Sequence, residues 1–226
     1  MENVPVPLFL PSKRYSGFLF DMDGTLLKSA ASAERVWGAW AENHGLDPVK
    51  FLPTMHGSRG IDVIRRLNLS GVDAEEEDAK ITAAEMQDLD GIQAISGARE
   101  FLTALPLDRW AIVTSSVKAL ALRRLEAASL PRPRFLVTGE DVTTGKPDPQ
   151  CYLAGADRLG VDAGQCLVFE DVVAGVQAGE AAGADVLVVT TDQSKYEFAG
   201  RFTISDYTNI ASYLGDDGLL SVNEKT

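Results

Sequence analysis

Short apolar runs alternate along this chain with longer segments in which apolar residues recur at helical spacing. Each run has the length and composition of a buried strand. The runs lie at residues 18–20, 110–113, 135–137, 167–169 and 186–189, with a weaker one at 202–204. Since strands that alternate with helices assemble as βαβ units, the pattern predicts an α/β fold whose parallel sheet is buried on both faces.

The spacing between the first two runs is unusually long. About ninety residues separate them, whereas the later runs follow one another more closely. Helical periodicity is found between them at residues 31–45, 60–69 and 74–89. We therefore predict a small all-helical cap, residues 31–92, inserted after the first strand of an α/β core that comprises residues 1–30 and 93–226. Linkers near residues 28–30 and 91–97 would join the two units, with the active site in the cleft between them.

The composition of the 226-residue chain narrows its possible functions. With 45% hydrophobic and 24% charged residues, it is that of a globular protein. The chain has 21 Lys and Arg residues against 33 Asp and Glu, a formal net charge of −12. An acidic surface repels phosphate backbones and anionic lipid, so neither nucleic acid nor a membrane surface is expected as a partner. An anionic ligand would need a local positive site.

The cysteine content and the lengths of the apolar stretches indicate in which cellular compartment the protein is expected. Two cysteines, Cys151 and Cys166, are too few for a disulfide scaffold and are typical of a reducing compartment. No apolar run reaches the roughly 18 residues of a membrane-spanning helix. Three prolines among the first eleven residues interrupt what would have to be the apolar stretch of a signal peptide. Because nothing indicates a large exposed apolar face either, we expect a cytoplasmic monomer.

Polar residues follow several of the predicted strands at the point where each strand ends. In an open parallel sheet this is the edge at which ligands bind. The segments are DMDGT (21–25) after the first strand, TSS (114–116) after the second, GKPD (145–148) after the third and ED (170–171) after the fourth. Any one of them alone would be explained as ordinary helix capping. Capping does not explain four such segments at one edge of the sheet.

Three or four carboxylates are expected at this edge, from the set Asp21, Asp23, Glu170 and Asp171. Carboxylates that share a site repel one another unless a hard divalent cation neutralises them, and Mg²⁺ suits an all-oxygen site with positions left for water and phosphate. Lys146 would add a positive charge, and Thr114 and the Ser115 amide would supply hydrogen bonds, which together suit a phosphoryl group. The sequence therefore predicts a small phosphorylated metabolite as the partner.

In their order along the chain, DMDGT, TSS, GKP and ED resemble the four signature motifs of the haloacid dehalogenase-like hydrolase superfamily, which implies a Rossmann-like core. The resemblance covers residues 17 to about 214. The helical cap resembles that of the branch containing sugar-phosphate, polyol-phosphate and glycerol-phosphate phosphatases and β-phosphoglucomutase. The segments HGSR (56–59) and WGAW (37–40) look most like its sugar and hexitol phosphatases. The resemblance implies a Mg²⁺-dependent phosphatase that hydrolyses small sugar or polyol phosphate monoesters through an aspartyl-phosphate.

The resemblance also implies roles for the four acidic residues. Asp21 would be the nucleophile that attacks phosphorus. Asp23 would protonate the departing alkoxide and then deprotonate the attacking water. Asp21, the backbone carbonyl of Asp23 and Asp171 would ligate Mg²⁺, while Glu170 ligates it or orients one of its waters.

The remaining implied roles concern the phosphate and the leaving group. The phosphoryl oxygens would be bound by Thr114, Ser115, Lys146 and the loop that turns at Gly24. His56 and Arg59 of the helical cap would contact the substrate. For Arg59, a plain surface position on a helix is the competing interpretation. The leaving group stays open among hexose, hexitol and glycerol phosphates.

Three other functions share parts of this chemistry. A phosphomutase similar to β-phosphoglucomutase would form the same aspartyl-phosphate, but mutases of this branch have a His in the first cap helix where Ala33 stands here. A dehalogenase would use the nucleophile without the metal-binding carboxylates. A receiver-like switch would store phosphate on an aspartate, but receivers are about half this length and lack both a cap and the acid that corresponds to Asp23.

Overall fold

The structure, a computed structural model, describes residues 12–190, 198 and 200–225. The strands are β1 Gly17–Phe20, β2 Leu27–Lys28, β3 Gln93–Ala94, β4 Trp110–Val113, β5 Phe135–Val137, β6 Cys166–Glu170, β7 Asp185–Val189, β8 Phe202–Ile204, β9 Ile210–Leu214 and β10 Leu220–Glu224. The α-helices are α1 Ala30–Asn43, α2 Pro48–Phe51, α3 Gly60–Leu67, α4 Ala74–Gln87, α5 Ala98–Thr103, α6 Lys118–Ala127, α7 Gln150–Leu159 and α8 Val173–Ala181.

Six strands form one parallel sheet in the order β5-β4-β1-β6-β7-β8. They are the six apolar runs of the sequence, each within one residue of its predicted bounds, so the predicted α/β fold with a parallel sheet is confirmed. The chain adds β4 and β5 on one side of β1 and then β6, β7 and β8 on the other. This change of direction leaves a crevice beyond the carboxyl end of β1, which is where ligands bind in such sheets.

Alternate residues of the central strand enter two separate hydrophobic clusters, one on each face of the sheet. Phe18 and Phe20 belong to one cluster and Leu19 to the other. Aromatic rings dominate the first, in which Phe20 stacks on Phe169 with ring centroids 4.4 Å apart. Because both faces are covered, β1 is fully buried along its length and presents a rigid base to the loop that follows it.

The helical cap has a hydrophobic cluster of its own, built around Trp37, Trp40, Phe51, Val63, Ile64 and Ile81. Helices α1, α3 and α4 form where periodicity predicted them, and residues 31–92, all of which are described, contain no strand. The short helix α2 was not predicted; Asp47 caps it and Pro48 begins it. The chain enters the cap through β2 and leaves it through β3, and these two strands pair antiparallel.

The carboxyl-terminal hairpin of β9 and β10 was also not predicted, since its apolar alternation is short and irregular. Of the predicted core, residues 1–11, 191–197, 199 and 226 lie outside the described residues. The division of the chain into residues 31–92 and the remainder stays a prediction. In the part of the chain that the structure describes, no helix combines the length and apolar character needed to cross a membrane.

Gly97 connects the returning linker to α5 in a place that admits no side chain. Its φ is +76°, in the left-handed region. A Cβ added there would lie 2.7 Å from the carbonyl carbon of Tyr207 and 2.8 Å from the amide nitrogen of Thr208. Both neighbours are backbone atoms, and the Tyr207 amide donates a hydrogen bond to the Ser96 carbonyl at 3.0 Å, so neither side can move away cheaply.

Gly97→Ala is therefore expected to destabilise the fold more than an alanine at another left-handed glycine. Gly91 is the matched control, with a φ of +82° and no atom within 4 Å of an added Cβ. Gly91→Ala should lower the free energy of unfolding by about 1 kcal/mol through backbone strain alone. Gly97→Ala should cost a further ~1–3 kcal/mol from the steric clash. Urea unfolding of both variants measures the difference, and equal losses would contradict the role given to the Tyr207 segment.

Candidate active site

The carboxyl ends of three neighbouring strands bring polar side chains to one edge of the sheet. Asp21 follows β1, Thr114 follows β4 and Asp171 follows β6, while Lys146 comes from the connection between β5 and α7. All four residues are buried. Buried charged residues are rare unless they are paired, so this group is a candidate for chemistry rather than for solvation.

Lys146 is held between two carboxylates. Its Nζ donates to Asp21 Oδ1 and to Glu170 Oε1, each at 2.5 Å, and only 1% of its side chain is exposed. Burial alone would lower the pKa of Lys146, but the negative charges of Asp21 and Glu170 outweigh it and raise the pKa well above its usual value. Lys146 is thus a fixed positive charge that contacts Asp21 from the protein interior.

Both oxygens of Glu170 are already engaged. Oε1 accepts from Lys146 and from the Tyr152 hydroxyl at 2.9 Å, and Oε2 accepts from the backbone amides of Asp171 and Val172 at 2.8 and 3.1 Å. These contacts hold Lys146 and the turn after β6. Of the two roles that the resemblance implied for Glu170, direct ligation of a metal ion would require one of these hydrogen bonds to break.

Three carboxylates form a group that suits a metal ion. Asp21, Glu170 and Asp171 each offer an oxygen, and these oxygens lie within 4.8 Å of one another. Burial raises the pKa of Asp21 to about 8 in spite of the charge of Lys146. Burial and the charges of Glu170 and Asp21 raise the pKa of Asp171 well above its usual range. One lysine does not balance three carboxylates, and an all-oxygen donor set fits a hard divalent cation.

Gly24 allows the loop after β1 to approach this group. Its φ is +87°, and an added Cβ would fall on the carboxylate of Asp171. The adjacent Thr25 hydroxyl donates to Asp171 Oδ1 at 3.0 Å and fixes its orientation. The predicted turn at Gly24 is therefore required by a close contact with a candidate ligand.

Asp23 is not one of the three carboxylates that lie within 4.8 Å of one another. Its Oδ1 accepts from Ser29 Oγ at 2.6 Å and from Arg124 Nη1 at 3.0 Å, and its Oδ2 accepts from Ser116 Oγ at 3.1 Å. The Asp23 carboxylate is thus held by hydroxyl and guanidinium donors, and the predicted role of Asp23 in metal binding, through its backbone carbonyl, stays a prediction. Its side chain is 26% exposed and lies on the wall of the adjoining cavity.

Arg124 and Glu85 are the residues of this region that sequence reasoning missed. Arg124 bridges Asp23 to Glu85 of α4, with its Nη2 2.8 Å from Glu85 Oε1. Burial raises the pKa of Glu85 to about 7, although Arg124 opposes the shift. Both residues stand among the buried positions of their helices, next to Leu120 and Ala121 in α6 and to Ile81 in α4. A charged residue at an apolar helical position was the available signal.

Arg59 links the helical cap to the loop after β5. Its guanidinium makes two hydrogen bonds to the carboxylate of Asp62, at 2.6 and 2.9 Å. The other N–H groups donate to the carbonyl oxygens of Gly139, Val142 and Thr143. All five donors of Arg59 are thus engaged within the protein, although the residue also borders the cavity. Its predicted contact with substrate stays a prediction.

Ser115 and His56 also lie at the boundary of cap and core. The Ser115 hydroxyl donates to the carbonyl of Gly57 at 2.8 Å. His56 Nε2 lies 3.2 Å from Glu34 Oε1 of α1. Thr114 lies beside Ser115, and its hydroxyl accepts from the Ser116 amide at 3.1 Å. The predicted phosphate-binding residues of the second motif are therefore next to the loop that precedes α3.

A cavity of about 560 Å³ separates the sheet edge from the helical cap. Asp21, Asp23 and Thr114 line it from the sheet, and Trp37, His56 and Glu85 line it from the cap. Lys146 is not among the residues that line this cavity, and its predicted contact with the phosphoryl oxygens stays a prediction. The cavity is large enough for a phosphorylated compound with a leaving group of several carbons.

Comparison with known proteins identifies the family to which this chain is similar. A family model for haloacid dehalogenase-like hydrolases matches residues 15–183. Hexitol phosphatase A of Escherichia coli (strain K12) is 42% identical over 180 residues, which cover 78% of this chain and 83% of that protein. 2-Deoxyglucose-6-phosphate phosphatase 2 of Saccharomyces cerevisiae is 30% identical over 217 residues, which cover 85% and 88% of the two chains.

Among solved structures, a hydrolase from Pseudomonas syringae superposes with a TM-score of 0.73 at 28% sequence identity. The match covers 84% of this chain and 92% of that one. The matched segment of this chain, residues 15–183, begins before β1 and ends after α8, and so contains all four motifs and the helical cap between them. With its parallel sheet, its acidic edge and this match, the chain belongs to the haloacid dehalogenase-like hydrolase family.

Proposed function

We propose that this protein is a Mg²⁺-dependent phosphatase of small sugar or polyol phosphate monoesters. The observation that carries the proposal is the buried Asp21 at the end of β1, held by Lys146 beside Asp171 on the floor of the cavity. The identity shared with proteins named hexitol phosphatase and 2-deoxyglucose-6-phosphate phosphatase supports the substrate class.

Asp21 is proposed as the nucleophile. Lys146 occupies its Oδ1 at 2.5 Å, so the carboxylate is held in one orientation with its second oxygen free to attack phosphorus. Attack forms a bond between Asp21 and phosphorus and breaks the bond to the leaving oxygen. Water then attacks the aspartyl-phosphate and releases inorganic phosphate. In both steps Lys146 keeps a positive charge next to the oxygen of Asp21.

The oxygens of Asp21 and Asp171 and the backbone carbonyl of Asp23 would hold Mg²⁺. When bound, the ion would offset part of the negative charge of the carboxylates and of the substrate's phosphoryl group, so that these anions could share one site. Thr25 keeps Asp171 in place for this role. The Thr114 hydroxyl and the Ser115 amide are proposed to donate hydrogen bonds to the phosphoryl oxygens.

Asp23 is proposed as the general acid and base. It lies two residues beyond the nucleophile and borders the same cavity, and donors from three segments fix its carboxylate. In the first step the protonated form of the Asp23 carboxyl group gives its proton to the leaving oxygen, and in the second step the resulting carboxylate takes a proton from the attacking water. A phosphate-storing switch would not need a general acid and base at this position, because such a group would promote hydrolysis of the stored phosphate.

The helical cap, residues 31–92, is proposed to select the leaving group. Polar side chains of Glu34, His56 and Asp78 border the cavity together with the ring of Trp37. Such a wall offers hydrogen bonds for hydroxyl groups and an apolar face for a carbon chain. Ala33 borders the cavity from α1 and has no proton-transfer group, which disfavours a phosphomutase.

The direct test is phosphate release from a panel of hexose, hexitol, glycerol and nucleotide phosphates, with Mg²⁺ and with EDTA. Phosphate should be released with Mg²⁺ and not with EDTA, and the highest rates should be found with the sugar and polyol phosphates. Absence of release from the whole panel would overturn the proposal, and preference for nucleotides would overturn the substrate class.

Asp21→Asn should lower phosphate release by more than about 10³-fold, because an amide does not form the covalent intermediate. Asp23→Asn should lower it by about 10²–10⁴-fold on alkyl phosphates. Asp90→Asn, an exposed change in the linker region, is the matched control and should keep full activity. Substantial activity in purified Asp21→Asn would contradict the assigned nucleophile.

Mg²⁺ should also be detectable without turnover. A ligand that binds only the folded state stabilises it, by about 2.7 kcal/mol at a hundredfold excess over its dissociation constant. Thermal unfolding of the wild type should therefore shift upward by several degrees when Mg²⁺ replaces EDTA. Asp171→Asn should remove the shift, whereas Asp78→Asn, a carboxylate on the cap side of the cavity, should retain it. A shift that survives Asp171→Asn would place the ion elsewhere.

A further inference from the structure

An arginine from α6 fixes the carboxylate of Asp23, although no motif contains it. Arg124 Nη1 lies 3.0 Å from Asp23 Oδ1 and 3.2 Å from the hydroxyl of Ser116, which itself donates to Asp23 Oδ2. Arg124 thus contacts Asp23 directly and also holds the donor on its other oxygen. The loss of Arg124 would release both constraints together.

The other half of the guanidinium is held by the helical cap. Arg124 Nη2 donates to Glu85 Oε1 of α4 at 2.8 Å. Only 5% of the Arg124 side chain and 9% of the Glu85 side chain are exposed. A buried carboxylate or guanidinium left without its partner is strongly destabilising, so each residue requires the other when α4 is seated on α6.

The contacts of Arg124 with Glu85 and Asp23 differ from an ion pair between two residues. The Nε of Arg124 is buried and has no hydrogen-bond partner among the described residues. Arg124 is therefore not placed to satisfy all its own donors, as Arg59 is. It spans two carboxylates from different parts of the chain, and only one of them, Asp23, lies beside the nucleophile.

We propose that Glu85 and Arg124 form a relay by which the seated helical cap positions Asp23 for proton transfer. Arg124 is the positioning residue for Asp23, and Glu85 positions Arg124. The inference rests on the proposed function and adds to it two residues outside the motifs. It makes the orientation of the general acid and base dependent on α4, a helix that contains none of the residues proposed to bind the phosphoryl group.

The two halves of the reaction depend on Asp23 to different degrees. An alkoxide leaves from phosphorus with the proton of Asp23, whereas p-nitrophenolate leaves without one. The later attack of water gives its proton to Asp23 in both cases. A mispositioned Asp23 should therefore slow both steps with a hexitol phosphate, but only the second step with p-nitrophenyl phosphate.

The test compares Arg124→Met, Arg124→Lys and Glu85→Gln with the adjacent control Arg123→Met. Arg123 is on the same helix, and its exposed side chain pairs with Glu126 at 3.5 Å. Steady-state kinetics with a hexitol phosphate and stopped-flow release of p-nitrophenolate are the measurements. Thermal unfolding measures whether each variant is folded. If Arg124→Met does not fold, the isosteric variant Glu85→Gln still tests the relay.

Arg124→Met should lower kcat for the hexitol phosphate by about 100-fold or more, with KM changed less than about threefold. With p-nitrophenyl phosphate, its first turnover should stay within about fivefold of wild type while later turnovers slow, which produces a burst. Glu85→Gln should act in the same direction by about tenfold, and should add nothing in the Arg124→Met background. Arg124→Lys should recover part of the loss, and Arg123→Met should match wild type.

Equal losses in both steps and with both substrates would show that Arg124 acts only on folding and would overturn the relay. Additive effects of Glu85→Gln and Arg124→Met would remove Glu85 from it. Failure of the proposed function has a separate signature, since the wild type would then not hydrolyse the hexitol phosphate, or Asp21→Asn would still do so. That result would overturn the relay as well.

Discussion

The buried ammonium group of Lys146 determines how the loops at the sheet edge are arranged. A charge with 1% of its side chain exposed is tolerated only next to opposite charge, and here two carboxylates lie at 2.5 Å from it. These carboxylates follow β1 and end β6, so the lysine ties the connection after β5 to both strands. Displacing the connection after β5 would deprive both buried carboxylates of the charge of Lys146. The position of Asp21 is therefore determined by the fold and not by its own loop alone.

Close packing around Glu170 and Asp171 extends this constraint to the glycines nearby. A Cβ at Gly24 would fall on the carboxylate of Asp171, and one at Gly175 in α8 would fall on that of Glu170. The same packing excludes water that would stabilise the charged carboxylates, and for this reason burial raises the pKa values of Asp21 and Asp171. In the proposed function, a protein with a net charge of −12 would hold its anionic substrate with one lysine and a bound cation, so that no basic surface is required.

The sequence was sufficient for those parts of the structure that depend on local pattern. The six strands of the sheet are apolar runs because both faces of the sheet are covered. Asp21, Thr114 and Asp171 directly follow three of these runs, so their place at the edge of the sheet could be predicted. Helices α1, α3 and α4 followed from periodicity. Helix α2 and the β9 and β10 hairpin did not, since four or five residues carry too little periodicity to separate them from loop.

Side-chain orientation in the site was not predictable, because it depends on partners far apart in the chain. Asp23 accepts a hydrogen bond from Arg124, 101 residues away, and Arg124 donates to Glu85 across 39 residues. Neither pairing leaves a trace in local spacing. The donors of Arg59 likewise end on carbonyl groups more than 80 residues distant, at Val142 and Thr143. Sequence motifs identified which groups are present at the site, and tertiary contacts decided which way they face.

The contacts between helical cap and core have a common property that bears on how the two units work together. Arg59 meets the loop after β5, Gly57 meets Ser115 after β4, and Glu85 reaches Asp23 through Arg124. Each ends on a loop that also carries, or directly adjoins, a residue of the proposed reaction. In the proposed function, the cap that selects the leaving group would thereby also help to orient the reacting groups. A change in the seating of the cap would then alter the rate of proton transfer together with substrate preference, and the two properties would not vary independently.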